Sequence, residues 1–399
     1  MRVALLNQMP TPYRNPFYAE LAKLCRLHVI FDRWREPNRL WAMPPESFAF
    51  SYEVLRGATI KYHRVRDNMG VRDERWVHIS PGLLPALVKA RPDIVVSTEF
   101  GARSMTAALY CKARGIPFVL WWEGTRHTES AIGPTRSVVR HLLTRFPTRF
   151  WSNGAASTEL LVDYGADPLT VDEGMTAVDT DFFAERTAAE LPDRDGHRSA
   201  LGVEGTGFLF VGQLVDRKGV MPFARALAEA QCRDPRPATV LLAGGGDRIA
   251  DLRTALSGVP GLKTVMAGFV DQSDLPRHFA AADIFVLPTL EDNWSLATLE
   301  AAVAGLPQLF SVYNGASPDL VALGAAGSIV DPMKQDAMVD FLMRCKDRLP
   351  PRNSTEVIRR VSTYYGSPAF AERAMGSLRT ALASRPLPAM PARPPARLR

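Results

Sequence analysis

The sequence predicts an α/β protein built from two Rossmann-like, doubly wound parallel-sheet domains that face a central cleft. Three observations predict it. Short apolar runs alternate with helix-spaced segments through the first half, the alternation restarts after about residue 185, and 399 residues exceed one ordinary core. Composition is that of a globular chain, 46% hydrophobic and 23% charged. The net charge of +6 suits an anionic small molecule or a lipid head group, and it is too weak to argue for nucleic acid.

Residues 3–6 read as the first strand, ended by Pro10 and Pro12. Phe17, Tyr18, Leu21 and Leu24 have helical spacing and predict a helix over 15–25. Strands follow at 27–31 and 60–65, an amphipathic helix at 82–90, a strand at 94–97, a helix at 104–114 and a strand at 117–121. Alternation of this kind implies right-handed crossovers and a parallel sheet with helices on both faces. In the second half, strands at 208–211, 239–243, 264–267, 284–287 and 309–312 frame helices at 220–230, 249–256, 275–281 and 296–304. The polar segment 184–197, which contains Pro192, reads as a linker. From Lys334 the chain is helical in three pieces, broken near 350–353 and 366–368. The expected division is 1–184 for the first, acceptor-side domain, 185–365 for the second, donor domain, 366–384 for a helix that crosses back to the first, and 385–399 for a disordered tail rich in Pro and Arg.

Several classes are disfavoured. Cys25, Cys111, Cys232 and Cys345 are far apart and show no metal-binding spacing, so they read as reduced thiols of a cytosolic protein. The opening apolar run is too short for a signal peptide, and no stretch is long enough to span a bilayer. No G-x-G-x-x-G follows the first strand, which argues against a dehydrogenase.

Three motifs carry the chemistry. FVLPTLEDNWSLATLEAAVAGLP, residues 285–307, reads as an apolar strand, an acidic loop and a helix that opens near Ser295. It places Glu291, Asp292 and Glu300 around a helix start, where N–H groups suit phosphate and carboxylates suit sugar hydroxyls. An N-capped surface helix with solvated charges is the plain alternative. FLFVGQLVDRKGVMPFARA, residues 208–226, ends a strand at Gly212 and lifts Arg217 and Lys218 on a loop, as a diphosphate clamp requires; the pair Asp216/Arg217 reads equally as an exposed salt bridge. LLAGGGD, residues 241–247, is either a ligand loop or a tight turn.

With these blocks in order over residues 208–332, together with GFVDQSDLPRHFAAADIFVLPT and GSIVDP, the second half resembles the family 4 retaining glycosyltransferases of GT-B fold (glycosyl transferases group 1). The first half is similar more loosely, through NQMPTPYRNPFY, WWEGTRHTE and AVDTDFF. The resemblance implies a retaining, hexosyltransferase-like enzyme that moves a sugar from a nucleotide-diphosphate donor, of UDP type, to a glycan or lipid-linked acceptor in cell-surface polysaccharide or glycolipid synthesis. It implies no cofactor, the nucleotide sugar being a co-substrate, and no metal. It places Lys218 on the diphosphate, Glu300 on the ribose hydroxyls and the acid eight positions earlier against the donor sugar. The backbone of Trp294, Ser295 and Leu296 would cradle phosphate and sugar oxygens, while Phe269 and Val270 would border the base. Gly212, Gln213 and Arg217 complete the donor side, and Thr11, Arg14 and Arg126 the acceptor side.

This chain departs from the family pattern at three places. The first acid is Asp292 by count, with Glu291 one step earlier, and either fits the role. Gln213 stands where an Arg is usual, which removes a cation unless Arg217 supplies it. Glu123 stands where a His is usual; it stabilises the transition state, orients the acceptor hydroxyl or pairs with Arg126. His127 reads as a surface or acceptor-side residue. These departures keep two other readings open, a non-catalytic sugar-nucleotide-binding subunit and a sugar-nucleotide epimerase on the same fold. Residues 135–149, TRSVVRHLLTRFPTR, pair an apolar stripe with a cationic one, which is either a packed helix or a surface leaning on anionic lipid at the inner face of the membrane. Trp and Arg clusters at 33–41 and 72–76 are expected on the acceptor side.

Overall fold

The computed structural model of the chain describes residues 1–36, 43–66 and 69–384. The expected disordered tail at 385–399 and the Trp41 end of the first Trp/Arg cluster lie outside the described residues.

The first lobe holds strands β1 (Arg2–Asn7), β2 (Arg26–Phe31), β3 (Ser51–Val54), β4 (Ala58–Arg66), β5 (Val71–Ile79), β6 (Ile94–Thr98), β7 (Phe118–Trp122), β8 (Arg149–Ser152) and β9 (Val171–Asp172). The second holds β10 (Thr206–Val211), β11 (Ala238–Ala243), β12 (Leu262–Gly268), β13 (Ile284–Val286), β14 (Gln308–Ser311) and β15 (Gly327–Val330). All pairs within the two large sheets are parallel, in the orders β3-β2-β1-β6-β7-β8-β9 and β12-β11-β10-β13-β14-β15. Strands β6 and β7 are buried at every position, as expected where helices cover both faces of a parallel sheet.

Two expectations are corrected. The strand expected at 60–65 is not a member of the large sheet: β4 pairs antiparallel with β5 in a separate hairpin of nine residue pairs. The expected linker at 184–197 is instead helical, within Thr180–Glu190 and Arg194–Leu201. Its polarity is that of a surface helix whose cations meet a partner. Arg194 and Arg198 donate to the carbonyls of Ala280 and Ala281 at the end of the helix Leu275–Ala281, and both pair with Asp283.

The chain crosses between lobes twice, side by side. Val178 forms a parallel bridge with Gly366, and Ser367 Oγ donates to the Val178 carbonyl at 3.3 Å. After the second crossing the helix Ser367–Ala383 packs into the first lobe. Its Phe370 ring stacks on Phe17 with centroids 3.8 Å apart, and Ser377 Oγ accepts from the indole of Trp151 at 2.7 Å. This apolar contact fixes the C-terminal segment to the lobe in which the chain began.

Candidate active site

Strand order reverses between β1 and β6 in the first sheet and between β10 and β13 in the second. Loops leaving the carboxyl ends on either side of such a reversal diverge and open a crevice, the usual ligand position of parallel sheets. Loops after β7 and β8 meet loops after β13 and β14: His127 touches Leu290 and Tyr313, and the Ala155 N–H donates to Asp319 Oδ1 at 3.3 Å. The two sheets therefore face each other by their carboxyl ends.

At the end of β10 the chain turns at Gly212, with φ of +148°, and forms the short helical turn Asp216–Lys218. Gly219 closes it at φ +67°, where a Cβ would stand 1.8 Å from the Pro288 carbonyl oxygen. Only glycine lets the turn press this closely on the segment after β13. The Arg217 carbonyl there accepts from the Leu290 N–H at 2.9 Å and from Thr289 Oγ1 at 3.0 Å. The result brings Lys218 Nζ to 2.5 Å from Asp292 Oδ2, both side chains being largely buried. Burial alone would raise the Asp292 carboxyl. The charges of Lys218 and Arg217, with hydrogen bonds from Lys218 and the Trp294 N–H, outweigh it and hold the group below its usual range.

The pairing expected between Asp216 and Arg217 is corrected. Asp216 takes Arg248 at 2.6 and 2.8 Å, while Arg217 donates to the Glu291 carbonyl at 3.2 Å. In LLAGGGD, a Cβ at Gly244 would stand 1.8 Å from the Gly212 carbonyl oxygen, so the glycine permits this close approach. Phe269 is exposed after β12, with Val270 packed against the lobe's core, and the Gln213 side chain has no partner among the described residues.

The helix Leu296–Val303 opens without a side-chain cap at Ser295. Two of the three backbone donors expected to cradle phosphate are already committed. The Trp294 N–H serves Asp292, and the Ser295 N–H donates to Asn314 Oδ1 at 3.1 Å. The Leu296 N–H is left at the first helical position. The Trp294 side chain is structural, its indole N–H donating to Asp319 Oδ2 at 3.1 Å. One turn into the helix, the Glu300 carboxylate has no polar partner among the described residues, and burial pushes its pKa up to about 7.

On the first lobe, Asn7 at the end of β1 is a hub. Its Oδ1 accepts from the Gln8 N–H at 2.8 Å and Arg14 Nη1 at 3.0 Å, and its Nδ2 donates to Tyr18 Oη at 2.6 Å. Arg14 then pairs with Glu123, which replaces the expected partner Arg126. Thr11 Oγ1 is buried without a partner. The exposed guanidinium of Arg126 pairs with Asp163 and Glu159 on the helix Ala155–Asp163. For His127 only the surface reading is corrected. Half-buried between the lobes, it donates from Nε2 to the Leu290 carbonyl at 2.8 Å and stacks on Tyr313 at 4.5 Å; burial lowers its pKa.

Glu291 separates clearly from Asp292. Its carboxylate is buried and forked by two first-lobe arginines, Arg64 Nη1 and Arg66 Nη1, each at 2.6 Å. The same guanidiniums donate to the Thr128 and His127 carbonyls at 2.8 and 3.1 Å. Glu291 thus joins the lobes, each of its carboxylate oxygens accepting from one arginine. The sequence pointed to none of Arg64, Arg66, Asn314 or Asp319. Arg64 and Arg66 do stand at i and i+2 on one strand face, but that spacing does not tell what the face meets.

A hollow of about 390 Å³ among Arg194, Arg198, Arg236 and Lys346 opens at the amino ends of β10 and β11, on the far side of the sheet. Its cations are engaged by Asp283, Asp234 and Asp347. The carboxyl-end crevice, where the unpartnered Glu300 and the Lys218–Asp292 pair lie, is the better candidate. Among the described residues, no three His, Cys, Asp or Glu side chains group to hold a metal ion.

Residues 205–347 match the family model Glycosyl transferases group 1. Over 184 residues the chain is 29% identical to the UDP-Gal:alpha-D-GlcNAc-diphosphoundecaprenol alpha-1,3-galactosyltransferase of Escherichia coli, covering 45% of this chain and 46% of that one. Over 169 residues it is 30% identical to the GDP-mannose-dependent alpha-(1-6)-phosphatidylinositol monomannoside mannosyltransferase of Mycolicibacterium smegmatis, covering 40% and 43%. The chain thus spans about half the length of these curated relatives. The likeness over the whole chain lies in the fold. The crystal structure of Anabaena HepE in complex with UDP gives a TM-score of 0.72 at 17% identity, covering 95% of this chain and all of that one. The lobe that carries Lys218, Asp292 and Glu300 is therefore a glycosyl transferases group 1 domain, and the chain as a whole has the GT-B fold.

Proposed function

We propose that this protein is a retaining glycosyltransferase of family 4 that moves a hexose from a UDP-sugar to a glycan or lipid-linked acceptor. The second lobe takes the donor and the first takes the acceptor. The observation that carries the reading is the half-buried Glu300 carboxylate, unpartnered among the described residues, on the helix that begins beside the Lys218–Asp292 pair. A half-buried carboxylate with no protein partner suits a ligand that brings hydroxyl donors, and the ribose of a nucleotide brings two. Lys218 supplies a cation at the donor diphosphate. When the bond from the anomeric carbon to the β-phosphate oxygen breaks, negative charge grows on that oxygen. A fixed ammonium and the start of the helix Leu296–Val303 lower the barrier. The acceptor hydroxyl oxygen then bonds to the anomeric carbon, and its proton passes to the departing phosphate. Asp292, relieved of Lys218 by the diphosphate, accepts from donor-sugar hydroxyls. On the first lobe, Glu123, held by Arg14, orients the acceptor.

The relatives' printed names support the choice of classes. The first names a UDP-sugar and a diphosphoundecaprenol acceptor; the second is GDP-mannose-dependent and supports only the lipid-linked acceptor, a phosphatidylinositol mannoside. A placement in the cytoplasm belongs to the same proposal; no helix among the described residues is long and apolar enough to cross a membrane. A thermal-shift screen with UDP-, GDP- and ADP-sugars tests the reading, because a ligand that binds only the folded state raises the melting temperature. UDP-sugars are expected to raise it most. No shift with any of them, or hydrolysis-free binding without transfer to any lipid-linked or glycan acceptor, contradicts an enzyme.

A further inference from the structure

The hairpin β4–β5 belongs to the first lobe but ends against the turn that carries Lys218 in the second. Strand β5 runs beside the turn Asp216–Lys218. Met69 and Val71 pack with Leu290 and Tyr313. Arg64 and Arg66 each hold one oxygen of the Glu291 carboxylate at 2.6 Å. Each guanidinium is also held at a second point in its own lobe. Arg64 donates to the Thr128 carbonyl at 2.8 Å, and Arg66 to Ser130 Oγ at 2.6 Å. A planar guanidinium fixed at two points sets a direction as well as a charge.

Glu291 passes this grip to the donor side. Its backbone is tied to Arg217 in both directions. The Glu291 N–H donates to the Arg217 carbonyl at 3.3 Å, and the Glu291 carbonyl accepts from the Arg217 guanidinium at 3.2 Å. Thr289 Oγ1 lies 3.0 and 3.2 Å from the same two carbonyl oxygens. The residue after each of these tied partners is a member of the Lys218–Asp292 pair. Segments joined so closely move together, so a shift of Glu291 shifts Lys218 and Asp292 with it.

We propose that Arg64 and Arg66 are positioning residues of the donor side. Acting through Glu291, they set where the Lys218 ammonium meets the ligand's diphosphate, and they do not touch the ligand themselves. This role rests on the reading of the crevice as a nucleoside diphosphate site. It makes the grip on the diphosphate depend on how the first lobe is seated on the second.

Calorimetric titration of UDP and of uridine into the wild type, Arg66→Ala, Lys218→Ala and Arg66→Ala/Lys218→Ala tests the role. Arg66→Ala is expected to bind UDP about tenfold more weakly than the wild type. It is expected to bind uridine, which lacks the diphosphate, as the wild type does. The double variant is expected to bind UDP within about twofold of Lys218→Ala, because the arginine acts through the lysine. A general loosening of the fold would instead weaken uridine as well and add to the Lys218→Ala loss. If Arg66→Ala does not melt cooperatively, Glu291→Gln, which keeps the shape and removes the charge, takes its place with the same expectations. Wild-type UDP affinity in the folded variant, an equal loss for uridine, or additive losses in the double variant overturns the role and leaves the donor site standing. No binding of UDP by the wild type overturns both.

Discussion

Glu300 titrates inside the ordinary assay range, because burial lifts its carboxyl to about 7 and nothing offsets the lift. The folded-state value lies above the unfolded one. Protonated Glu300 therefore stabilises the fold fully below the unfolded value, and that contribution is lost as pH rises through about 7. Glu300→Gln, which imitates the protonated group, is expected to melt with the wild type at pH 5. At pH 8 it is expected to be more stable by about 2 kcal/mol. The ligand dependence runs the other way. Ribose hydroxyls need the charged acceptor, so UDP binding by the wild type is expected to tighten several-fold from pH 6 to 8, and the excess over Glu300→Gln is the part owed to this carboxylate. Parallel melting curves and equal pH slopes of affinity would contradict both expectations. The position of Glu300 on a helix after an acidic loop was legible in the sequence, since the strand, loop and helix are all local. The different surroundings of Glu291 and Asp292 were not. They are decided by Arg64 and Arg66, more than two hundred residues away along the chain.

The β4–β5 hairpin was half legible as an element. Ile60, Tyr62 and Val65 marked a strand, but its partner β5 carries Arg72, Glu74 and Trp76 and lacks an apolar period, so alternation could not reveal the pairing. The hairpin reaches the second lobe through a buried fork on Glu291, with Val71 and Met69 packed near Leu290 and Tyr313. Removing one partner of a buried ion pair leaves the other uncompensated, at a cost of about 3–5 kcal/mol. Arg66→Ala is therefore expected to loosen the lobes, visible as a larger radius of gyration in small-angle scattering without ligand. Arg66→Met combined with Glu291→Leu is expected to recover most of the closed form. A wild-type radius for Arg66→Ala would show that the fork does not hold the lobes. The helices at 180–201 were missed for a related reason: their polar faces read as a linker until Asp283 and the end of the helix Leu275–Ala281 are seen opposite them.

At the scale of the whole molecule, the two sheets and the restart of alternation were readable because each βα unit is local. The lobe seam was not, because its contacts join residues far apart in the chain. Two adjacent crossings at Val178 and Gly366 leave the lobes connected at one side, and the Glu291 fork, the His127 contact and Asp319 join them across the crevice. The account rests on one claim, that Lys218 and Glu300 hold the same nucleoside diphosphate in that crevice. Titration calorimetry of UDP into the wild type, Lys218→Ala and Glu300→Ala tests it most directly. Charged hydrogen bonds are worth about 1.5–3 kcal/mol, so each variant is expected to bind about 10- to 100-fold more weakly while melting cooperatively. Wild-type affinity in either variant, or no heat of binding in the wild type itself, would contradict the claim.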